Sequence, residues 1–238
     1  MKKYMLALGL SLLTVLGLFT GCSPKAETAS GSDSLKIVAT IFPEYDWVRQ
    51  VLGDRAGEVQ LTLLLDSGTD LHSYQPTAAD MLTIGECDLF LYNGGESDAW
   101  VERVLATAAN PDRRTLSVME VLGDSVLEEE VVEGMQEAED HDHAEGEAHE
   151  EEADEHVWLS LRNARTACAE IARVLGELDP DHAAEYQTNA ENYMAELEAL
   201  DGEYAALAEN AARRTVLVGD RFPFRYLMDD YGLEYYAA

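Results

Sequence analysis

Between Leu35 and Val118 the chain alternates short apolar runs with stretches of helical spacing. The runs Leu35–Thr40, Val59–Leu65, Cys87–Tyr92 and Thr115–Val118 read as four strands. Val59–Leu65 is nearly all apolar, the pattern of a parallel strand buried on both faces. Helices are predicted between them. One opens at Phe42-Pro43-Glu44 and carries Val48, Val51 and Leu52 up to Gly53-Asp54. A second runs from Pro76 to Ile84, with Pro76 suited to its first turn. A third covers Asp98–Ala108, with Trp100, Val101, Val104 and Leu105 on one side. Strands and helices alternating in units of about thirty residues predict an α/β lobe on a parallel sheet. Ligands of such sheets bind in loops beyond the C-terminal ends of the strands.

Further along, helical spacing dominates. Ser160 is placed to cap a helix over Asn163–Leu178, and Asp179-Pro180 opens another. In the second helix Tyr186, Ala190, Tyr193, Leu197, Leu200, Tyr204 and Leu207 recur at spacings of four and three. Continuous from Pro180 to Ala211, it would be about 45–50 Å long. Such a seam suits a dimerising coiled coil or packing within the chain. Alanine and tyrosine at seam positions favour the second, and a monomer. Thr215–Gly219, Phe222–Tyr231 and Leu233–Tyr236 read as strand, helix and strand. Two strands do not close a parallel sheet, and the last would present an unprotected edge. The expectation is a second lobe cut short.

The pattern fails over Glu128–Trp158. Fifteen carboxylates lie between Glu128 and Glu155, with no Lys or Arg, among His141, His143 and His149. Without periodicity this is a loop. It ends at His156-Val157-Trp158-Leu159, where an apolar pattern resumes and anchors His156. The net charge is −31, and −16 remains when those fifteen are removed. Such a field repels nucleic acid and anionic headgroups and gathers cations. Neutral imidazoles bind zinc well, whereas manganese prefers oxygen donors. His141, His143 and His149 therefore read as an accessory, weak metal collector, or else as a solvated acidic insert. His156, held by burial, reads as a preorganised ligand, or else as a core histidine hydrogen-bonded to backbone. His72, the only histidine before the acidic run, stands in the loop after the second strand. Cys87 and Cys168 sit in apolar patterns and read as small core residues.

The N-terminus has Lys2 and Lys3, then a mostly apolar run from Met5 to Phe19, too short for a comfortable membrane span. Leu18-Phe19-Thr20-Gly21-Cys22 resembles a bacterial lipobox. The resemblance implies cleavage before Cys22 and lipid attachment to its sulfur. Ser23–Asp33 would be a flexible tether to the membrane surface.

Gly68-Thr69-Asp70-Leu71-His72-Ser73-Tyr74-Gln75-Pro76-Thr77 resembles the first metal-ligand loop of the zinc/manganese-type solute-binding lipoproteins of bacterial ABC importers. Thr40-Ile41-Phe42-Pro43, Asp88–Asn93 with Gly94, and Glu155-His156-Val157-Trp158-Leu159 fit the same family. The resemblance implies two α/β lobes with parallel sheets flanked by helices, joined by one long rigid helix. It implies His72 and His156 as ligands of Zn²⁺, with Mn²⁺ the alternative, and delivery to an ABC permease. One position departs. Aligning Phe224, Tyr226 and Tyr231-Gly232-Leu233 with the family places Arg221 where a His or Glu ligand normally stands. Arginine stays protonated and does not coordinate zinc. Either Asp220 substitutes, or three protein ligands act with water or the loop, or a ligand lies beyond Ala238.

The expected organisation is a signal peptide over 1–21, a lipidated tether over 22–34, and a first lobe over 35–160 with the acidic loop at 128–155. A helical connection over 161–211 leads to the start of a second lobe at 212–238. The expected function is extracytoplasmic capture of a transition-metal ion for import, with no reaction catalysed. Two rivals are a secreted zinc hydrolase and a lipid-anchored adhesion protein that binds metal incidentally. The sequence has neither His-Glu-x-x-His nor Gly-x-Ser-x-Gly, which disfavours hydrolysis.

Overall fold

The computed structural model describes residues 34–66, 68–106, 109–130, 152–219 and 221–237. The expected export segment, Cys22, the expected tether, His141, His143, His149 and Asp220 lie outside the described residues.

Four parallel strands form the first sheet: β1 (Lys36–Ala39), β2 (Gln60–Leu63), β3 (Leu89–Tyr92) and β4 (Arg114–Ser117), in the order β2-β1-β3-β4. Side chains alternate across it, as the pleat requires. Ile37, Ala39, Leu89 and Leu91 face one layer, while Val38 and Phe90 face the other. The first layer is built from α1 (Phe42–Leu52), α4 (Val118–Leu122) and α5 (Leu161–Leu178), through Val48, Leu52, Val118, Ile171 and Leu175. The second is built from α2 (Ala78–Glu86) and α3 (Val101–Leu105), through Ile84, Val101 and Val104, with Trp100 just before α3. Cys87 and Cys168 are fully buried and unbridged, one in each layer.

Three local expectations are corrected. β2 is not buried on both faces: it stands at a sheet edge and Leu61, Thr62 and Leu63 are half-exposed. Its apolar composition reports the strand but not its neighbours. Pro76 lies before α2 rather than in its first turn. Thr77 is the cap, accepting from Asp80 N–H, while the Asp80 carboxylate accepts from Thr77 N–H at 2.8 Å. This reciprocal bond satisfies two helix-end donors at once. Asp98 does not begin α3 either. It closes a 3₁₀ turn, Glu96–Asp98, and its carboxylate accepts from Gly94 N–H at 2.9 Å.

After α5 a 3₁₀ turn at Pro180–His182 leads into α6 (Ala183–Glu209), which packs on α5 and α1 and, farther on, touches α7 (Arg225–Tyr231). The predicted seam is covered only in part. Tyr186, Ala190 and Leu197 are buried, whereas Leu200 is 41%, Tyr204 40% and Leu207 70% exposed. β5 (Thr215–Val218) and β6 (Glu234–Ala237) pair in parallel as a second sheet, connected by α7. Gly232 closes α7 at φ 58°, a left-handed position that favours glycine.

Candidate metal centre

His72 sits on a 3₁₀ turn, Leu71–Ser73, in the loop after β2. Buried Leu71 anchors the turn, and Asp70 caps it by accepting His72 N–H at 3.0 Å. The His72 ring is about half-exposed, its Nδ1 lying 3.0 Å from Ser97 Oγ and 3.7 Å from Glu155 Oε2. Ser97 donates its backbone N–H to Glu155 Oε1 at 2.7 Å and its hydroxyl to Glu155 Oε2. With its single proton committed there, Ser97 Oγ accepts from His72 Nδ1–H. The lone pair of His72 therefore stands on Nε2.

His156 follows the same logic with a different partner. One oxygen of Asp154 accepts both its backbone N–H at 2.8 Å and its ring Nδ1–H at 2.9 Å. A carboxylate only accepts, so His156 too keeps its lone pair on Nε2. Val157 is fully buried and the Trp158 ring lies 5.3 Å from that of His156. The two imidazoles stand with centroids 5.4 Å apart at 58°. With Zn–N bonds of 2.0–2.1 Å, two rings can span about 6 Å on one ion, so this pair fits. A histidine whose second nitrogen is tied to a carboxyl system is the usual supported metal ligand.

The loop after β3 makes the support possible. Gly94 and Gly95 have φ of 95° and 82°. A Cβ on Gly95 would lie 2.3 Å from Glu155 Oε1, so glycine admits the buried carboxylate. Asn93 donates to the Glu155 carbonyl at 2.8 Å. The acidic stretch is clipped where it leaves and returns: Glu129 N–H donates to Glu152 C=O at 2.7 Å, and Asp154 N–H to Leu127 C=O at 2.8 Å. Asp154 and Glu155, grouped by composition with the accessory loop, are buried parts of the site.

Two more buried carboxyls are linked electrostatically to Glu155, Asp98 directly and Glu44 through Asp98. Burial, with repulsion from Glu155, pushes Asp98 up to about 6 against its bond from Gly94 N–H. Burial and then Asp98 push Glu44 up to about 8. Glu44 Oε2 accepts from Thr40 N–H, Thr40 Oγ–H and Ile41 N–H, while Oε1 has no partner among the described residues.

Among the described residues no group of three His, Cys, Asp or Glu side chains forms a metal cluster. His72 and His156 are brought together. Arg221 lies 3.6 Å from Asp70 Oδ2 and offers no lone pair to a metal. Ser97, Asp70, Asp154 and Glu155 were not singled out as site residues from sequence. The rule that ligands gather beyond strand ends applies to Asn93–Asp98 as much as to the His72 loop, and was the available signal.

Residues 37–238 match the family model described as ZnuA, zinc-uptake complex component A, periplasmic. The chain is 34% identical over 237 residues to the zinc-binding lipoprotein AdcA of Streptococcus pneumoniae, covering 100% of this chain and 44% of that protein. It is 30% identical over 212 residues to the high-affinity zinc uptake system protein ZnuA of Bacillus subtilis, covering 89% of this chain and 63% of that one. The crystal structure of Zn(II)-bound AdcA from S. pneumoniae superposes with a TM-score of 0.68 at 29% identity, covering 86% of this chain and 39% of that one. The chain thus spans about half the length of the curated relatives it matches. By the extent of the family match, carried by an α/β fold of the same kind, the chain belongs to the zinc-uptake complex component A family.

Proposed function

We propose that this protein captures Zn²⁺ outside the cytoplasm and passes it to an ABC permease for import. The observation that carries this is the pair of imidazoles 5.4 Å apart, each with Nδ1 held by a carboxyl system and Nε2 left to donate. His72 and His156 are the ligands from the first lobe. Asp154 acts directly, and Glu155 through Ser97, to hold tautomer and ring orientation and to offset the charge of the cation. Two neutral imidazoles favour zinc over manganese. Asp220 remains a candidate for a further ligand, and Cys22 for the lipid anchor that keeps the protein at the membrane surface. His141, His143 and His149 serve as a collector that raises local zinc concentration without forming the site. The protein performs no chemistry on its cargo. Release follows when the loops carrying the ligands separate.

Calorimetric titration of the full chain tests this. Zn²⁺ binds at one tight site and Mn²⁺ at least about tenfold more weakly. Removing residues 133–150, which leaves the clipped ends of the acidic stretch intact, changes the tight affinity by less than about threefold, because no ligand held by burial is lost. Equal affinities for both metals, or loss of the tight site on deletion, contradict the proposal.

A further inference from the structure

The stretch Arg221–Tyr226, which runs from the loop after β5 into the first turn of α7, reaches the supports of both histidines. Tyr226, in the first turn of α7, is 3% exposed. Its hydroxyl donates to Asp154 C=O at 2.8 Å and accepts from Leu127 N–H at 2.9 Å. These groups flank the clip at which the acidic stretch returns, where Asp154 N–H meets Leu127 C=O. The carboxylate of the same Asp154 holds His156 by backbone and ring. Five residues earlier, Arg221 Nη1 lies 3.6 Å from Asp70 Oδ2, and the other oxygen of Asp70 caps the turn that carries His72. Arg225, next to Tyr226, pairs with Glu130 at the outgoing side of the clip. One short stretch, far in sequence from either histidine, thus touches the residue behind each.

We propose that Tyr226 and Arg221 are positioning residues for the metal pair. They act through Asp154 and Asp70, and they couple the placement of the second sheet to zinc affinity. The inference rests on the two-histidine site proposed above. The competing account is that Tyr226 only fills the core and Arg221 only makes a surface ion pair. The two arms differ in strength. Tyr226 is buried and its bonds are short, so its loss resembles that of a residue supporting a ligand, typically tenfold or more in affinity. The Arg221–Asp70 pair is exposed, with side chains 83% and 50% accessible, so its contribution is small and screened by salt.

The test is zinc competition titration and visible spectroscopy of the Co²⁺-saturated form, on the full chain, for Y226F, R221Q and the control H156A. Y226F is expected to weaken zinc about tenfold and to shift the cobalt bands at saturation, because ligand geometry changes as well as occupancy. R221Q is expected to weaken zinc about two- to fivefold at low salt, the difference vanishing near about 0.5 M NaCl. Wild-type affinity and unchanged cobalt bands in both variants overturn the proposal. Should Y226F fail to fold, R221Q decides alone, and unchanged low-salt affinity overturns it. H156A separates the two levels: its loss of zinc with Y226F and R221Q unaffected leaves the site standing and removes only this coupling.

Discussion

Glu44 is the side chain displaced furthest from its ordinary chemistry among the groups near the site. It is fully buried and its carboxyl is pushed from 4.5 up to about 8, by burial first and Asp98 second. A carboxyl whose folded value lies above its unfolded one binds more protons in the folded state. Its folded form is therefore favoured at low pH, and stability is lost as pH rises from about 4.5 to about 8. Asp98 adds to the same slope between 3.8 and about 6. Glu44→Gln keeps an acceptor for Thr40 and Ile41 and removes the titration. In urea denaturation of the metal-free protein, the variant should be flatter between pH 5 and 8, and at pH 8 more stable than wild type by on the order of 1–3 kcal/mol. Parallel pH profiles would show that Glu44 is not protonated in the fold. At this scale the two histidines were legible as candidates, because each stands in a short motif beside apolar anchors, and the structure brings their rings to 5.4 Å. Asp154 and Glu155 were not. They are two buried carboxylates at the end of a run of fifteen, and composition does not set them apart from the rest.

Among the elements, α5 shows most directly how a local signal becomes packing. Ser160 accepts Asn163 N–H at 3.2 Å and is 2% exposed. Beyond it Ala164, Ala167, Cys168, Ile171, Ala172 and Leu175 form one buried face. Ser160→Ala should cost about 1–2 kcal/mol in chemical denaturation, the upper range for a cap because the position is buried, and Ser160→Thr should recover part of it. A loss below about 0.3 kcal/mol would mean that the helix end finds another acceptor. Here the pattern was legible because spacing and cap agree. For β2 and the far half of α6 it was not. An apolar run or seam marks a face that can be covered, and the covering residues lie elsewhere in the chain. Leu61 and Leu63 meet a sheet edge, Tyr204 stacks on Tyr231 of α7 and stays 40% exposed, and Leu207 meets solvent.

For the whole molecule, the charge of −31 and the pair of lone-pair nitrogens act at different ranges. The field draws cations over about a Debye length and weakens with salt. In the proposed function, the imidazoles select among those cations at contact distance. The parallel sheet was readable from alternation alone. The meeting of His72 with His156 was not, since 84 positions separate them, and it follows only once the loops after β2 and β3 and the clipped end of the acidic stretch converge at one end of the first sheet. The most direct test of the central claim is therefore calorimetric zinc titration of the full chain beside His72→Ala and His156→Ala. Each variant should lose at least about a hundredfold in affinity, more than is typical for a residue that merely supports a ligand, while the metal-free proteins melt like wild type. Zinc bound by both variants as tightly as by wild type would contradict the account.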